Sequence, residues 1–171
     1  MNELVLAAEK AALVLFVLLV IFTDWRWQRI PNAATYPAMI VGLLLGALEP
    51  LGTPGQLGWG APLAGGILDH VAGLAVGFLV SYPFYAAGGL KAGDAKMLMA
   101  IGALRGTVFL LNAALYGALA GGVLALVLIA ARRLAPPETE VADPFWRLMK
   151  SRIPYGVALG VGALIALATV P

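Results

Sequence analysis

The chain has 171 residues, of which 61% are hydrophobic and only 12% are charged. This composition excludes a soluble globular domain, because it offers too little polar surface to cover one, and it predicts a protein embedded in a bilayer. The net charge of +2 is too small to indicate nucleic-acid binding, and the absence of cysteine excludes disulfides, a thiol nucleophile and thiolate metal sites.

Three apolar stretches lie in the first half of the chain. The first, Leu4 to Thr23, has 20 residues and is long enough to cross a hydrocarbon core of about 30 Å. We predict a membrane helix rather than a cleaved signal peptide, because acidic residues predominate at its N-terminal flank. Residues 33–48 and 67–87 are the second and third predicted helices. The Gly- and Pro-rich segment between them predicts an exposed loop.

The next apolar stretch is too long for one crossing. Residues 95–131 would extend about 55 Å as a single helix. We therefore predict that the chain folds back at Arg105-Gly106, giving a short fourth helix and a fifth helix from Thr107 onward. Asn112 is a second candidate for the turn.

The C-terminal part completes the predicted architecture. Residues 132–152 are polar, and residues 153–170 form a sixth apolar helix. The fold class predicted is thus an all-α polytopic bundle of six transmembrane helices in a single domain covering residues 1–171. Glycines at four-residue spacing predict close contacts between helices; these pairs are Gly42 and Gly46, Gly73 and Gly77, Gly117 and Gly121, and Gly156 and Gly160.

The positive residues predict the orientation, because cytoplasmic loops retain Lys and Arg. Nine of the eleven fall on one side of the predicted bundle; they are Arg26, Arg29, Lys91, Lys96, Arg132, Arg133, Arg147, Lys150 and Arg152. We therefore expect loops 24–32, 88–96 and 132–152 to be cytoplasmic and both termini to lie outside, in a multi-pass protein of the inner (cytoplasmic) membrane.

Two of the nine acidic residues are candidates for catalysis. Asp24 and Asp94 each adjoin an apolar helix at the same predicted face, where burying a charge costs about 2.5 to 3.5 kcal/mol. Asp94 has a structural interpretation as a helix cap. Asp24 lies at a helix C-terminus, against the helix dipole, so its structural interpretation requires Arg26 or Arg29 as an ion partner.

Two neighbouring carboxylates suit aspartic protease chemistry, in which one activates water and the other donates a proton. The helix dipoles favour Asp94 as the base and Asp24 as the acid. We expect no metal and no cofactor in this reaction. His70 is the single histidine, and it is predicted in a loop away from these residues, which disfavours a serine-histidine mechanism.

Two motifs resemble signatures of the type IV prepilin peptidases, which are GxGD-type aspartic membrane proteases. DWRWQRIPN resembles the D-x4-R-I-P-N signature, and GGLKAGDAKMLMAIGA resembles the GxGD motif with its following Lys and Gly-Ala. PYGVALGVGALIA near the C-terminus is similar as well. One departure is that Lys91 occupies the place of the first glycine, while Gly93, Asp94 and Lys96 stay aligned.

The resemblance implies an aspartic endopeptidase with Asp24 and Asp94 as its catalytic residues. Its substrate would be a prepilin-like precursor, cleaved at the cytoplasmic face between a basic leader and a hydrophobic helix. The paired-cysteine segment of the bifunctional members is missing, so the chain resembles the short branch without methyltransferase activity, as in Flp/Tad pilus or preflagellin systems. Motif neighbours expected to support the site are Arg29, Pro31, Asn32, Gly93 and Lys96.

Several roles stay open at this level. Arg29 is a candidate partner for a carboxylate. Pro31 is a candidate for ending the turn into the second helix, and Asn32 is a candidate for capping that helix. Lys96 has a simple interpretation as a side chain reaching the interface. The acidic residues of the loop 132–152, which are Glu138, Glu140 and Asp143, either attract a basic leader or are merely solvated. A small proton-coupled transporter or ion-conducting subunit and a noncatalytic membrane scaffold are the alternative functions.

Overall fold

The computed structural model describes residues 2–49, 66–134 and 155–169, and the regular structure within these ranges is helical. This confirms the predicted all-α class. Five helices lie within these ranges: α1 (Asn2–Trp27), α2 (Asn32–Leu48), α3 (Ile67–Ala86), α4 (Ala92–Leu134) and α5 (Tyr155–Thr169). The predicted fourth and fifth helices correspond to the two parts of α4, which is broken at Gly106.

Among the described residues, three helical stretches are long and apolar enough to cross a membrane: Glu3–Trp27, Ile67–Ala86 and Ala92–Val127. The helices α2 and α5 are apolar but shorter, with 17 and 15 residues. At 1.5 Å per residue, α2 extends about 26 Å, somewhat less than a hydrocarbon core of about 30 Å.

The predicted loops at one end of the bundle are shorter than the sequence indicated. The helix α1 continues past its predicted end, so that Asp24 lies in its last turn and the link to α2 covers only residues 28–31. Gln28, the first residue of this link, has a positive φ of 50°. The link between α3 and α4 is short as well, since α4 begins at Ala92 and includes Asp94 in its first turn.

The helix α4 is broken at Gly106, where the sequence predicted a turn. Gly106 has φ 76° and ψ −176°. Glycine adopts this conformation readily because it has no Cβ, whereas residues with a Cβ rarely adopt it. A Cβ at this position would also collide with the Asp69 carboxylate. Asp69 accepts a hydrogen bond of 3.1 Å from the backbone N–H of Thr107, so it caps the second part of α4 from the neighbouring helix.

The chain reverses direction at this break. Gly106 lies about 18 Å along the helix from Asp94, at 1.5 Å per residue. Further along α4, Gly121 packs on Ala158, two residues from Gly156, which in turn contacts Asp24. The second part of α4 has therefore returned toward the end of the bundle that holds Asp24, and residues 92–105 and 107–134 run in opposite directions.

The distribution of side chains is the reverse of that in a soluble protein. Leu15 is 70% exposed, and other large apolar residues are exposed on each of the five helices. Charged and polar groups such as Glu9, His70 and Arg105 are buried instead. Lipid tails are the surroundings in which an apolar exterior is stable. The first part of α4 is the centre of the bundle, with Met97, Ala100, Ile101, Ala103 and Leu104 fully buried.

Close packing of α3 on α4 depends on glycine, as the four-residue spacing predicted. A Cβ at Gly73 would meet the backbone carbonyl of Gly102 and lie 2.8 Å from the carbonyl carbon of Gly106. Backbone atoms cannot move aside as a flexible side chain can. We expect Gly73→Ala to lower the free energy of unfolding by about 1 to 3 kcal/mol through overpacking.

Thermal unfolding in detergent micelles measures this effect. Gly122→Ala is the matched control, because a Cβ at Gly122 would meet no atom of the described residues within 4 Å. Its Tm is expected to equal or exceed that of the wild type, since alanine favours a helix over glycine by about 1 kcal/mol. Equal Tm values for Gly73→Ala and the wild type would contradict the packing described.

Candidate active site

Two links between helices form a cavity at one end of the bundle. The cavity has a volume of about 1020 Å³ and lies between the α1–α2 link and the start of α4. It contains both aspartates that the sequence singled out. Its lining consists of Asp24, Trp27, Gln28, Arg29, Ile30, Pro31, Asn32, Lys91, Ala92, Gly93 and Asp94.

Asp24 is held by the N-terminus of another helix. Its side chain projects from the last turn of α1 and is 3% exposed. Its Oδ2 accepts a hydrogen bond of 3.2 Å from the backbone N–H of Val157, and the N–H of Gly156 also interacts with it. These N–H groups belong to the first turn of α5, where they have no partner within their own helix.

This contact corrects the sequence interpretation of Asp24. A purely structural interpretation of this negative charge at the C-terminus of α1 required Arg26 or Arg29 as an ion partner. Among the described residues, neither arginine forms an ion pair with it. The N-terminal end of α5 supplies the stabilisation instead, because its dipole and free N–H groups favour an anion.

Asp94 lies in the first turn of α4 and is also 3% exposed. Its Oδ2 accepts a hydrogen bond of 3.0 Å from the backbone N–H of Lys91, the residue before the helix. This is half of a capping box, in which the third helical residue binds back to the cap residue. The structural interpretation of Asp94 as a capping residue therefore holds, and it is compatible with a second role at the cavity.

The two carboxylates share one electrostatic environment. The charge of Asp24 acts on Asp94, and the charge of Lys91 acts on both. Each carboxylate lies at the N-terminal end of a helix, α5 for Asp24 and α4 for Asp94. The dipole argument that made Asp24 the acid and Asp94 the base therefore loses its basis, because both dipoles act in the same sense.

The replacement of a motif glycine by Lys91 has a simple backbone explanation. Among the described residues other than glycine, only Gln28 has a positive φ. Lys91 therefore adopts a conformation open to any residue, and glycine is not required there. The positive φ in this link, 77°, belongs to Gly88.

Three of the motif neighbours hold the site together. Gly93 allows α4 to approach the α1–α2 link, since a Cβ there would lie 3.1 Å from Cβ of Ile30. Lys96 donates a hydrogen bond of 2.9 Å to Oδ1 of Asn32 and lies 5.0 Å from the ring centroid of Tyr36. Lys96 thus connects α4 to the first turn of α2, in addition to the predicted extension of its side chain toward the membrane interface.

Pro31, Asn32 and Arg29 differ in how well they match the roles predicted from the sequence. Pro31 occupies the cap position of α2 with an extended backbone, φ −73° and ψ 139°, in agreement with its predicted place at the start of that helix. Asn32 was a candidate for the cap, but it is the first helical residue and no side chain caps α2. Arg29 is exposed and lines the cavity without an ion pair to any described carboxylate.

Gly156 is a site residue that the sequence interpretation did not identify. A Cβ at this position would lie 2.8 Å from Oδ2 of Asp24 and 3.0 Å from Cδ1 of Ile30. Only glycine therefore allows the N-terminus of α5 to bind Asp24. The signal in the sequence was the Gly156 and Gly160 pair, which predicted close packing but not its partner. The predicted acidic contributors Glu138, Glu140 and Asp143 lie outside the described residues.

Comparison with known proteins identifies the family of the chain. The family model of the type IV leader peptidase family matches residues 11–126, which is most of the chain and includes both aspartates. The chain belongs to the type IV leader peptidase family. No curated protein and no solved structure matches it significantly.

Membership confirms the family resemblance and a general activity. A leader peptidase is a protease, and the apolar exterior of the helices makes this one a multi-pass membrane protein. The matched region ends before α5, so the contact between Asp24 and the N-terminus of α5 is a feature that the structure adds to the family assignment.

Proposed function

We propose that the protein is an aspartic endopeptidase that removes the basic leader from type IV prepilin-like precursors at the cytoplasmic face of the inner membrane. One observation carries the proposal: Asp24 and Asp94, 70 positions apart in the sequence, line one cavity at one end of the helical bundle. The family assignment favours a peptidase over the transporter and scaffold alternatives.

The proposed reaction is hydrolysis by a carboxylate pair that shares one proton. The ionised carboxylate takes a proton from water, and the resulting hydroxide attacks the scissile carbonyl carbon. The protonated carboxyl donates to the carbonyl oxygen, and a proton then passes to the leaving amine as the C–N bond breaks. Because two coupled carboxylates titrate as a pair, the acid and base roles belong to the pair.

The lining of the cavity supports this chemistry. Burial of both aspartates among the ends of three helices keeps their geometry fixed, which a hydrolytic pair requires. Lys91 supplies a positive charge beside them and so favours a state with a single shared proton over two neutral carboxyls. The size of the cavity is at the upper end of the range for ligand sites, in keeping with a peptide substrate.

The membrane topology belongs to the same proposal. Because α4 reverses at Gly106, we propose that its two parts cross separately and that the chain makes six crossings with both termini outside. Arg26, Arg29, Lys91 and Lys96 lie at the end that holds the aspartates, which supports a cytoplasmic site. Arg105, at the other end, is neutralised by an ion pair with Glu9.

The substrate class follows from the motif resemblance. The precursor is expected to place its hydrophobic helix in the lipid and its basic leader at the cytoplasmic surface, where acidic residues of the predicted loop 132–152 are available to it. The reaction is proposed to stop at hydrolysis, without methylation of the new N-terminus, as in the short branch of Flp/Tad-type pilus or preflagellin systems.

A defined cleavage assay tests the proposal. The purified full chain in lipid nanodiscs is mixed with a precursor carrying a basic leader and a hydrophobic helix, and mass spectrometry identifies the products. We expect a cut at the junction of leader and helix, and no added methyl group when S-adenosylmethionine is present. Failure to cut any of a panel of pilin and preflagellin precursors would refute the proposed substrate class.

A further inference from the structure

A second polar cluster lies at the opposite end of the bundle. It joins Glu9 of α1, Glu49 directly after α2, and His70 of α3. Glu9 is about 22 Å along α1 from Asp24, so the cluster is separate from the candidate active site. One ligand-type atom from each residue lies within 4.8 Å of the other two.

The tautomer of His70 is set by a backbone contact. Its Nδ1 lies 2.6 Å from the carbonyl oxygen of Ala103, which only accepts hydrogen bonds, so Nδ1 carries the proton. The lone pair of neutral His70 is therefore on Nε2, and Nε2 faces Oε1 of Glu9 at 3.6 Å and Oε2 of Glu49 at 4.0 Å. Histidines that bind metals are commonly oriented by such a bond from the other ring nitrogen.

One carboxylate oxygen of Glu9 accepts no hydrogen bond from the described residues. Its side chain is 2% exposed, and Oε2 accepts a hydrogen bond of 3.2 Å from Arg105. Its Oε1 is buried and has no hydrogen-bond partner among the described residues. An unpaired carboxylate oxygen buried beside a nitrogen lone pair is unfavourable, because both atoms are electron donors.

We infer that Glu9, Glu49 and His70 form a binding site for a divalent transition-metal ion of the Zn²⁺ class. The ligand atoms are Oε1 of Glu9, Oε2 of Glu49 and Nε2 of His70. One imidazole and two carboxylates are a donor set that suits such an ion. The three ligand atoms lie within 4.8 Å of one another. Ligand atoms around a tetrahedral ion lie about 3.3 Å apart, so the side chains need to close by up to about 1.5 Å.

Charge and access favour the same assignment. With both carboxylates ionised, as metal binding requires, they and the Arg105 guanidinium leave one net negative charge in a mostly buried cluster, which a cation offsets. Glu49 is 26% exposed and gives the ion a path from solvent. A protonated His70, with its Nε2 3.6 Å from Oε1 of Glu9 and 4.0 Å from Oε2 of Glu49, would also supply a positive charge, and zinc binding distinguishes the two arrangements.

The surrounding residues keep the imidazole in place. Gly46 of α2 packs against the ring, since a Cβ there would lie 2.5 Å from Cγ of His70. Oε2 of Glu49 also accepts a hydrogen bond of 3.0 Å from the N–H of Gly66, at the start of α3. A bound ion would therefore connect α1, α2 and α3 at the end of the bundle away from the aspartates.

Zinc binding to the full-length protein tests the inference. The protein is purified without a histidine tag, treated with EDTA, and dialysed against buffered Zn²⁺, with Mg²⁺ as the comparison ion. We expect about one tightly bound Zn²⁺ per chain by elemental analysis, a higher Tm with Zn²⁺ than without it, and no effect of Mg²⁺. Absence of bound Zn²⁺ in the wild type would overturn the inference in favour of a protonated His70.

Variants distinguish this site from adventitious binding. Glu49→Gln keeps an acceptor for Gly66, and we expect it and His70→Gln to weaken Zn²⁺ binding by about 100-fold or more, since losing even an outer partner costs about 10- to 100-fold. Glu3→Gln, an exposed change in α1, is the matched control and should bind as the wild type does. Equal binding by all the variants would overturn the site.

Two further measurements secure the result. Replacement of Zn²⁺ by Co²⁺ gives a visible absorption spectrum that reports on the ligands, and Glu49→Gln should change it in a folded protein, as judged by circular dichroism. An unchanged spectrum would overturn the role of Glu49. Asp24→Asn should keep full Zn²⁺ binding, so a failure of the metal site and a failure of the peptidase proposal are separable.

Discussion

Replacing either Asp24 or Asp94 by asparagine is expected to reduce precursor cleavage by about 10³-fold or more, since proton transfer by a positioned side chain contributes about 10²- to 10⁴-fold. Asparagine keeps the size of the side chain and an acceptor for the N–H of Val157 or Lys91, so the fold should be retained. The measurement is the single-turnover rate in nanodiscs, with helical content checked by circular dichroism.

Asp69→Asn is the matched control for these two variants. Asp69 lies at the other end of the bundle and accepts a hydrogen bond from Thr107, which an asparagine oxygen also accepts. Its cleavage rate should remain near that of the wild type. A folded Asp24→Asn or Asp94→Asn protein that cleaves at the wild-type rate would remove that residue from the catalytic pair.

The second large effect is expected at Gly156, through its contact with Asp24. In Gly156→Ala the new Cβ would lie 2.8 Å from Oδ2 of Asp24, so the carboxylate and the N-terminus of α5 must separate. A displacement of about 1 Å at a catalytic group costs about 10²-fold in rate. We expect kcat to fall by that factor while KM changes little, because the scissile bond is positioned by the rest of the cavity.

Gly122→Ala again serves as the control, because its Cβ would lie more than 4 Å from every atom in the described part of the chain. It should leave kcat unchanged, which would show that the loss in Gly156→Ala does not come from alanine in a membrane helix as such. If Gly156→Ala retained wild-type kcat, the contact between Asp24 and α5 would have no part in catalysis.

The contact between α5 and Asp24 also bears on how the pair is assembled. Asp24 is anchored by residues 133 positions later in the chain, whereas Asp94 is anchored by Lys91, three positions before it. Asp94 therefore reaches its position once the start of α4 has formed. Asp24 is fixed only after the C-terminal helix has packed, so the complete site requires nearly the whole chain.

Local patterns in the sequence were sufficient for the helices and for the break in α4. Helix positions follow from apolar runs of sufficient length, and the turn at Gly106 follows from a 37-residue apolar stretch that exceeds the membrane thickness. The position of Asp24 and Asp94 at the same end of the bundle was also predictable, because each adjoins the end of an apolar helix on the same predicted face.

Contacts between distant residues were decided only by the tertiary structure. The partner of Asp24 is the N-terminus of α5, Lys96 binds Asn32, and Glu9, Glu49 and His70 meet although the sequence assigned them no common role. Periodicity and spacing report which face of a helix is apolar and how long the helix is. They do not report which helices become neighbours or at what depth they cross, because that depends on the packing of glycines against backbone across the whole bundle.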